Sequence, residues 1–197
     1  MNPQVFCSSV TEDCSKKVRV MNIEFIKASL NDIDEVENLY NDVCDFLVTK
    51  DYNPGFSKGY YPTRREALYF LEDDALYVAK VDGKIVGSVA LTHNGNAETN
   101  ESLKYDETNY SDMLYIHIFV VHPNFQYQGI GSKVLGFTKQ FAKKEGVKAI
   151  RLYVYDGNYA AIKLYEKNGF IYIGKEDIGL SQYGLKWFCL YEKSIDE

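Results

Sequence analysis

The chain has 197 residues, 46 % of them hydrophobic and 25 % charged, with a formal net charge of −6 at neutral pH and a pI near 5.2. That length favours one compact domain whose core closes without metal or disulfide staples, and the composition excludes disordered and collagen-like classes. The acidic balance excludes a typical nucleic-acid binder, and no run approaches the ~18 apolar residues of a membrane span.

Residues 1–20 are mixed polar residues without periodicity and read as a flexible tail ahead of a single domain over 21–197. They lack the basic start and apolar stretch of a secretory signal, so a cytoplasmic location is expected. Cys7, Cys14, Cys44 and Cys189 form no C-x-x-C pair and have no nearby His, so no metal is expected; Cys44 and Cys189 read as buried thiols. Alternation through Ile23, Phe25 and Ala28 predicts a first strand. Ser29 or Asn31 can cap a helix carrying Ile33, Val36, Leu39, Tyr40, Val43, Phe46 and Leu47 on one stripe. Asn53-Pro54-Gly55 breaks that helix, and Thr63 with Glu66 forms a capping box for a second one ending near Asp73. Leu76 to Val81 and Lys84 to Thr92, joined by Asp82-Gly83, read as a hairpin with a type I′ turn. Residues 93–112 show no period and read as a long loop. Met113 to Val121 is a strongly apolar, central strand. A helix over Gly129 to Glu145 is stopped by Gly146, Ala149 to Tyr155 is a strand, and Asn158 to Asn168 is a helix ended by Gly169. Strands at Phe170 to Gly174 and Leu185 to Lys193 close a mixed sheet with helices on both faces.

The sharpest local signal is the turn His122-Pro-Asn-Phe-Gln-Tyr-Gln-Gly-Ile-Gly-Ser132 between the central strand and a long helix. The first N–H groups of a helix have no intrahelical acceptor and, with the helix dipole, attract an anion such as a pyrophosphate. The P-loop spacing is absent. A dinucleotide fingerprint does not fit either, because Val134 stands where its third glycine or alanine belongs.

Gln126-Tyr-Gln-Gly129-Ile-Gly131 resembles the Q/R-x-x-G-x-G/A signature of the GNAT superfamily of acyl-CoA-dependent N-acyltransferases. Asn158-Tyr-Ala-Ala-Ile-Lys-Leu-Tyr165-Glu-Lys-Asn-Gly169-Phe170 is similar to a later segment of that family. The resemblance implies an α/β (α+β) GNAT fold: a mixed, mostly antiparallel sheet of about six to seven strands, helices on both faces, and a splay between two central parallel strands. It further implies that backbone groups of Phe119, Val120 and Val121 pair with the pantetheine arm of acetyl-CoA like an added strand. Gln126 heads the pyrophosphate signature, and amides of Tyr127, Gln128, Gly129, Ile130, Gly131 and Ser132 would hold the pyrophosphate. Asn158 would seat the pantetheine and Tyr165 would face the thioester sulfur. Homodimers are common in the family.

Amide formation needs a neutral amine, and deprotonating an alkylamine near neutral pH costs about 4 kcal/mol. His117, within Tyr115-Ile-His117-Ile-Phe119, resembles, in its position relative to the glycine turn, a histidine implicated in proton removal in arylalkylamine N-acetyltransferases, with Tyr115 two residues earlier on the same strand face. A histidine in such an apolar strand is otherwise a hydrogen-bonded core residue. Tyr165 can protonate the leaving sulfur, and an amide near Val120 can polarise the carbonyl. Tyr52, Tyr60 and Tyr61 lie in the helix break where an acceptor lip is expected. The reading is an acetyltransferase acting on a primary amine of a small molecule within a ternary complex. The rivals are a protein N-terminal or lysine acetyltransferase and a non-catalytic acyl-CoA sensor.

Overall fold

The structure, a computed structural model, describes residues 22–51, 54–93 and 112–195. Asp82 and Gly83 both take positive φ, 51° and 78°, as a type I′ turn requires, and fold β2 (Leu76–Val81) onto β3 (Lys84–Thr92). β1 (Ile23–Lys27) adds antiparallel to β2, and β4 (Met113–Val121) antiparallel to β3. β4 pairs parallel with β5 (Ala149–Tyr155). Beyond it come β7 (Phe188–Ser194) and, at the far edge, β6 (Ile171–Glu176), both pairs antiparallel. The seven-stranded order is β1-β2-β3-β4-β5-β7-β6, so the apolar β4 is the middle strand and, among the described residues, β4–β5 is the one parallel pair. The expected mixed, mostly antiparallel sheet is therefore present.

One face carries α1 (Ile33–Val48) and α2 (Arg64–Glu72), whose Ile33, Val36, Tyr40 and Phe70 pack on Val78, Ile85, Ala90 and Val120. The other carries α3 (Ile130–Glu145) and α4 (Tyr159–Lys167), whose Ile130, Val134, Ala142 and Tyr165 pack on Leu91, Leu114, Ile150 and Leu152. The helix ends follow their residues. Thr63 N–H and Oγ1 both donate to Glu66 Oε2, at 2.8 and 2.7 Å, and Gly146 closes α3 in the left-handed region. Two details differ from expectation. β7 starts at Phe188 because Ser181–Tyr183 forms a 3-10 turn ended by left-handed Gly184. Phe46 sits off the buried stripe of α1, its ring under the Lys50 ammonium, and Cys44 is buried in that stripe instead. Cys44 and Cys189 are free and buried. No helix among the described residues is long and apolar enough to cross a membrane. The tail at 1–20, Tyr52 and most of the loop at 93–112 lie outside the described residues.

A charged pair ties the start of α1 to the sheet. Ser29 N–H and Oγ donate to Asp32 Oδ2 at 2.8 and 2.7 Å, and Lys80 of β2 donates to Asp32 Oδ1 at 2.6 Å. Burial alone would raise the Asp32 carboxyl, but Lys80 and Ser29 outweigh it and hold its pKa below the ordinary value. The group therefore adds stability above the unfolded carboxylate pKa of about 3.9, and that stability is lost as pH falls through the lower folded value. Asp32→Asn should cost about 2–3 kcal/mol in urea unfolding at pH 7. The gap from the parent should narrow on acidification toward pH 3; an equal gap at both pH values would contradict this linkage.

Candidate active site

β4 and β5 pair from Met113 opposite Ala149 to Ile116 opposite Leu152, and there the ladder stops. Both strands continue, to Val121 and Tyr155, so residues 117–121 present an edge to a cleft instead of to a strand. A bulge lies at this point. Ala90 of β3 opposes His117, yet Ser88 opposes Val120, so β4 carries one residue more than β3. Ile118 takes φ +39°, a conformation that costs a β-branched residue on the order of 1–3 kcal/mol. Gly87 permits the close approach: a Cβ there would stand 3.0 Å from the Val120 carbonyl oxygen.

The bulge reverses the alternation of β4. Leu114 and Ile116 face α3, whereas beyond the bulge Ile118 and Val120 belong to the α1–α2 core and Phe119 turns toward α4. It also sorts the peptide groups. His122 N–H donates to Val86 O at 2.8 Å, and in an antiparallel ladder the hydrogen-bonded pairs recur every second residue. Val120 therefore directs its N–H and C=O into Ser88, while Phe119 and Val121 direct theirs into the cleft. In this register Val120 stands opposite Ser88 of β3.

Two candidate catalysts approach the cleft from opposite faces. Tyr165 reaches it from α4, its ring 6.4 Å from Phe119 and 5.7 Å, edge-on, from Phe170. Burial pushes its phenol far above the usual range, so it stays protonated at any physiological pH. His117 lies on the α1–α2 face, stacked on Phe70 at 5.5 Å, with Nε2 hydrogen-bonded to Thr92 Oγ1 at 2.9 Å. Tyr115 shares that face at 6.5 Å between rings. Its hydroxyl is bonded by Arg151, whose Nε donates to Glu192 Oε2 at 2.7 Å.

Past the strand, His122 Nδ1 accepts the Asn124 amide at 3.1 Å, which leaves Nε2–H to donate to Asp42 at 3.3 Å. Gln126 ends the 3-10 turn Pro123–Phe125, and Gln128 Nε2 donates to Asn124 O at 2.8 Å. Tyr127 is left-handed and its side chain is fully exposed. Gly129 is the left-handed N-cap of α3, φ +81°. The first bond into the helix runs from Lys133 N–H to Gly129 O at 3.1 Å, so the amides of Ile130, Gly131 and Ser132 precede the intrahelical ladder. No acidic side chain occupies this first turn. The two glycines serve different ends. Gly129 is needed for its backbone angle. Gly131 is needed for packing, since a Cβ there would meet Leu164 of α4 at 2.8 Å. Asn168 Nδ2 reinforces that contact by donating to Ser132 Oγ at 3.1 Å. Asn158 caps α4, its Oδ1 accepting the Ala161 amide at 3.3 Å, and its side-chain NH2 end points away from that bond.

The two described lip tyrosines, Tyr60 and Tyr61, do not share one wall. Tyr61 packs on Phe56 at 5.7 Å and against the α1–α2 core, Tyr60 is 80 % exposed, and Tyr52 lies outside the described residues. The segment does touch the β6–β7 connection, since a Cβ on Gly55 would lie 2.4 Å from Leu185 Cδ1. Reading the chain by itself missed Phe70, Thr92, Arg151 and Glu192, because their relation to His117 and Tyr115 depends on strand register. No group of three or more His, Cys, Asp or Glu among the described residues is placed to hold a metal ion.

Comparisons with known proteins agree with this geometry. Residues 40–170 match the model of the acetyltransferase (GNAT) family. An uncharacterized N-acetyltransferase of Methanocaldococcus jannaschii is 29 % identical over 188 residues, covering 80 % of this chain and 78 % of that protein. The spermine/spermidine N(1)-acetyltransferase of Bacillus subtilis is 31 % identical over 75 residues, 38 % of this chain and 49 % of the relative. Among solved structures, a Pyrococcus horikoshii protein is 27 % identical with a TM-score of 0.62, covering 88 % of this chain and 98 % of that one. A GNAT-family acetyltransferase of Streptococcus pneumoniae, 22 % identical, shares the fold with a TM-score of 0.63, covering 88 % and 99 %. With the family model spanning most of the domain, and the bulged central strand opening beside the glycine turn, the chain belongs to the GNAT family of acetyl-CoA-dependent acetyltransferases.

Proposed function

We propose that the protein transfers the acetyl group of acetyl-CoA to a primary amine of a small molecule, by direct attack within a ternary complex. The observation that carries the reading is the cleft at residues 117–121, which His117 approaches from one face of the sheet and Tyr165 from the other. The residues present fit the donor: Phe119 and Val121 offer an unpaired strand edge, and the α3 amides offer donors to a diphosphate. Acetyl-CoA supplies an activated thioester. His117 takes the proton of the acceptor ammonium. The amine nitrogen bonds the carbonyl carbon while an outward N–H beside the bulge polarises the oxygen. The carbon–sulfur bond then breaks, the departing sulfur takes up the Tyr165 hydroxyl proton, and the second proton lost by the acceptor nitrogen returns Tyr165 to its neutral form. Burial keeps Tyr165 protonated, so its hydroxyl is available to hydrogen-bond the departing sulfur, while the same burial makes full proton transfer costlier. Among the described cysteines, burial pushes the Cys44 and Cys189 thiols up, away from the thiolate form a nucleophile needs, which supports direct attack.

The test is a thiol-release assay over polyamines, arylalkylamines, aminoglycosides, amino acids and peptides; the partial likeness to spermine/spermidine N(1)-acetyltransferase puts polyamines first. Release should require a small amine. Activity confined to peptides would overturn the acceptor class, and acetyl-CoA binding without turnover on any amine would favour a sensor. Tyr165→Phe should lower kcat at least about tenfold while acetyl-CoA affinity holds, and a parallel loss of both would reduce Tyr165 to packing.

Acetyl-CoA at 100 times its Kd should raise stability by about 2.7 kcal/mol, read as a rise in Tm. Gly129→Val should abolish that rise because the left-handed cap is lost. Gly131→Val should lower the Tm of the free protein by forcing Leu164 aside. An undiminished ligand shift in Gly129→Val would count against the pyrophosphate site.

A further inference from the structure

We infer that Asn168 is a positioning residue for acetyl-CoA binding, its side-chain amide turning the Ser132 hydroxyl so that the hydroxyl proton is offered to the diphosphate. The inference rests on reading the first amides of α3 as the diphosphate site. It adds a side-chain donor to that site and names the group that aims it.

Asn168 is the C-cap of α4, and Ser132 lies in the first turn of α3. The two helices meet here because Gly131 has no Cβ, which would stand 2.8 Å from Leu164 Cδ2. Asn168 Nδ2 donates to the Leu164 carbonyl at 2.7 Å and to Ser132 Oγ at 3.1 Å. The first bond fixes the sense of the second. A carbonyl oxygen can only accept, so the NH2 end of the Asn168 amide faces Leu164, and its other hydrogen goes to Ser132. Turned the other way, the amide would set two oxygens against each other at 2.7 Å. Asn168 is itself held from two sides. Its backbone N–H donates to Tyr165 O at 2.9 Å, and its backbone carbonyl accepts the Lys193 ammonium of β7.

A hydroxyl inside a helix commonly donates to the carbonyl one turn back, as Thr138 of α3 does to Val134 O at 3.0 Å. Ser132 does otherwise. Its Oγ accepts from Asn168 and, among the described residues, donates to no protein group. The hydroxyl proton therefore stays on offer in the same turn as the Ile130, Gly131 and Ser132 amides, which precede the intrahelical ladder. Ser132 is half-buried, so a ligand can reach it, and no acidic side chain in this turn competes for the proton. A hydroxyl that already accepts one hydrogen bond donates the next more strongly, and a phosphate oxygen is a charged acceptor.

The test is a double-mutant cycle in the full chain, with acetyl-CoA affinity read by titration calorimetry. Ser132→Ala should weaken binding about tenfold, and Asn168→Ala and Asn168→Leu about fivefold each. Adding Asn168→Ala to Ser132→Ala should cost less than about a further twofold, because Asn168 acts through the hydroxyl. S-acetylpantetheine keeps the thioester and the arm but lacks the diphosphate, and it should bind both Asn168 variants within about twofold of the parent. A merely structural role would instead shift α4 and weaken both ligands together. Two replacements of different size keep the result readable if one of them loosens the helix end. Parental acetyl-CoA affinity in either folded Asn168 variant would overturn the inference, as would additive losses in the double variant or an equal loss for the two ligands. Parental acetyl-CoA binding in both Ser132→Ala and Gly129→Val would overturn the diphosphate site and this inference with it. A weakened Ser132→Ala beside a parental Asn168→Leu would overturn the positioning role alone.

Discussion

Backbone hydrogen bonding between β4 and β5 ends at Ile116 and Leu152, and every element of the proposed chemistry is arranged around that termination. Parallel strands in the middle of a sheet ordinarily satisfy their peptide groups on both sides. Here an extra residue in β4 re-aims the strand, with Ile118 held at positive φ and Gly87 letting β3 close against the bend. The remaining chain keeps this arrangement through burial. Ile118 and Val120 are 6 % and 4 % exposed beneath α1 and α2, so a backbone cost of order 1–3 kcal/mol is offset by side chains sealed in a well-packed layer.

Because the bulge reverses side-chain alternation, one strand serves both faces of the sheet. His117 and Ile118 share the α1–α2 side, whereas Phe119 turns to the α4 side and meets Tyr165. A proton acceptor and a proton donor can then flank a reacting centre that lies between strands. The same short stretch leads into the turn before α3, where Gly129 sets the cap and Gly131 lets α4 pack closely. Strand edge and helix N-terminus are thus coupled through about ten residues of continuous chain, which would hold the spacing of the proposed diphosphate and thioester sites more tightly than two separate loops.

Much of this was legible from residue pattern. Caps and turns depend on local chemistry, so Thr63 with Glu66, the Asp82-Gly83 turn and the Gly146 stop fall where expected. The glycine turn and the Asn158–Phe170 segment already pointed to β4, α3 and α4, the elements that carry the proposed site. What escaped depends on register. An apolar run such as Met113–Val121 carries no mark of where a bulge falls, because Ile118 is an ordinary strand residue until the pairing on both sides is known. Hence Val120 could not be separated from Phe119 and Val121, and Thr92, about 25 residues from His117, could not be joined to it. The tyrosines at 60 and 61 lack such a constraint, and composition alone could not tell a packed ring from an exposed one.

Amide hydrogen exchange, measured residue by residue with and without acetyl-CoA, tests the central claim most directly. The account predicts that the ligand slows exchange at Phe119, Val121 and Ile130 to Ser132, while Val120, already bonded to Ser88, is slow in both states. Protection confined to other elements, or a Val120 amide that exchanges freely until acetyl-CoA is added, would contradict it.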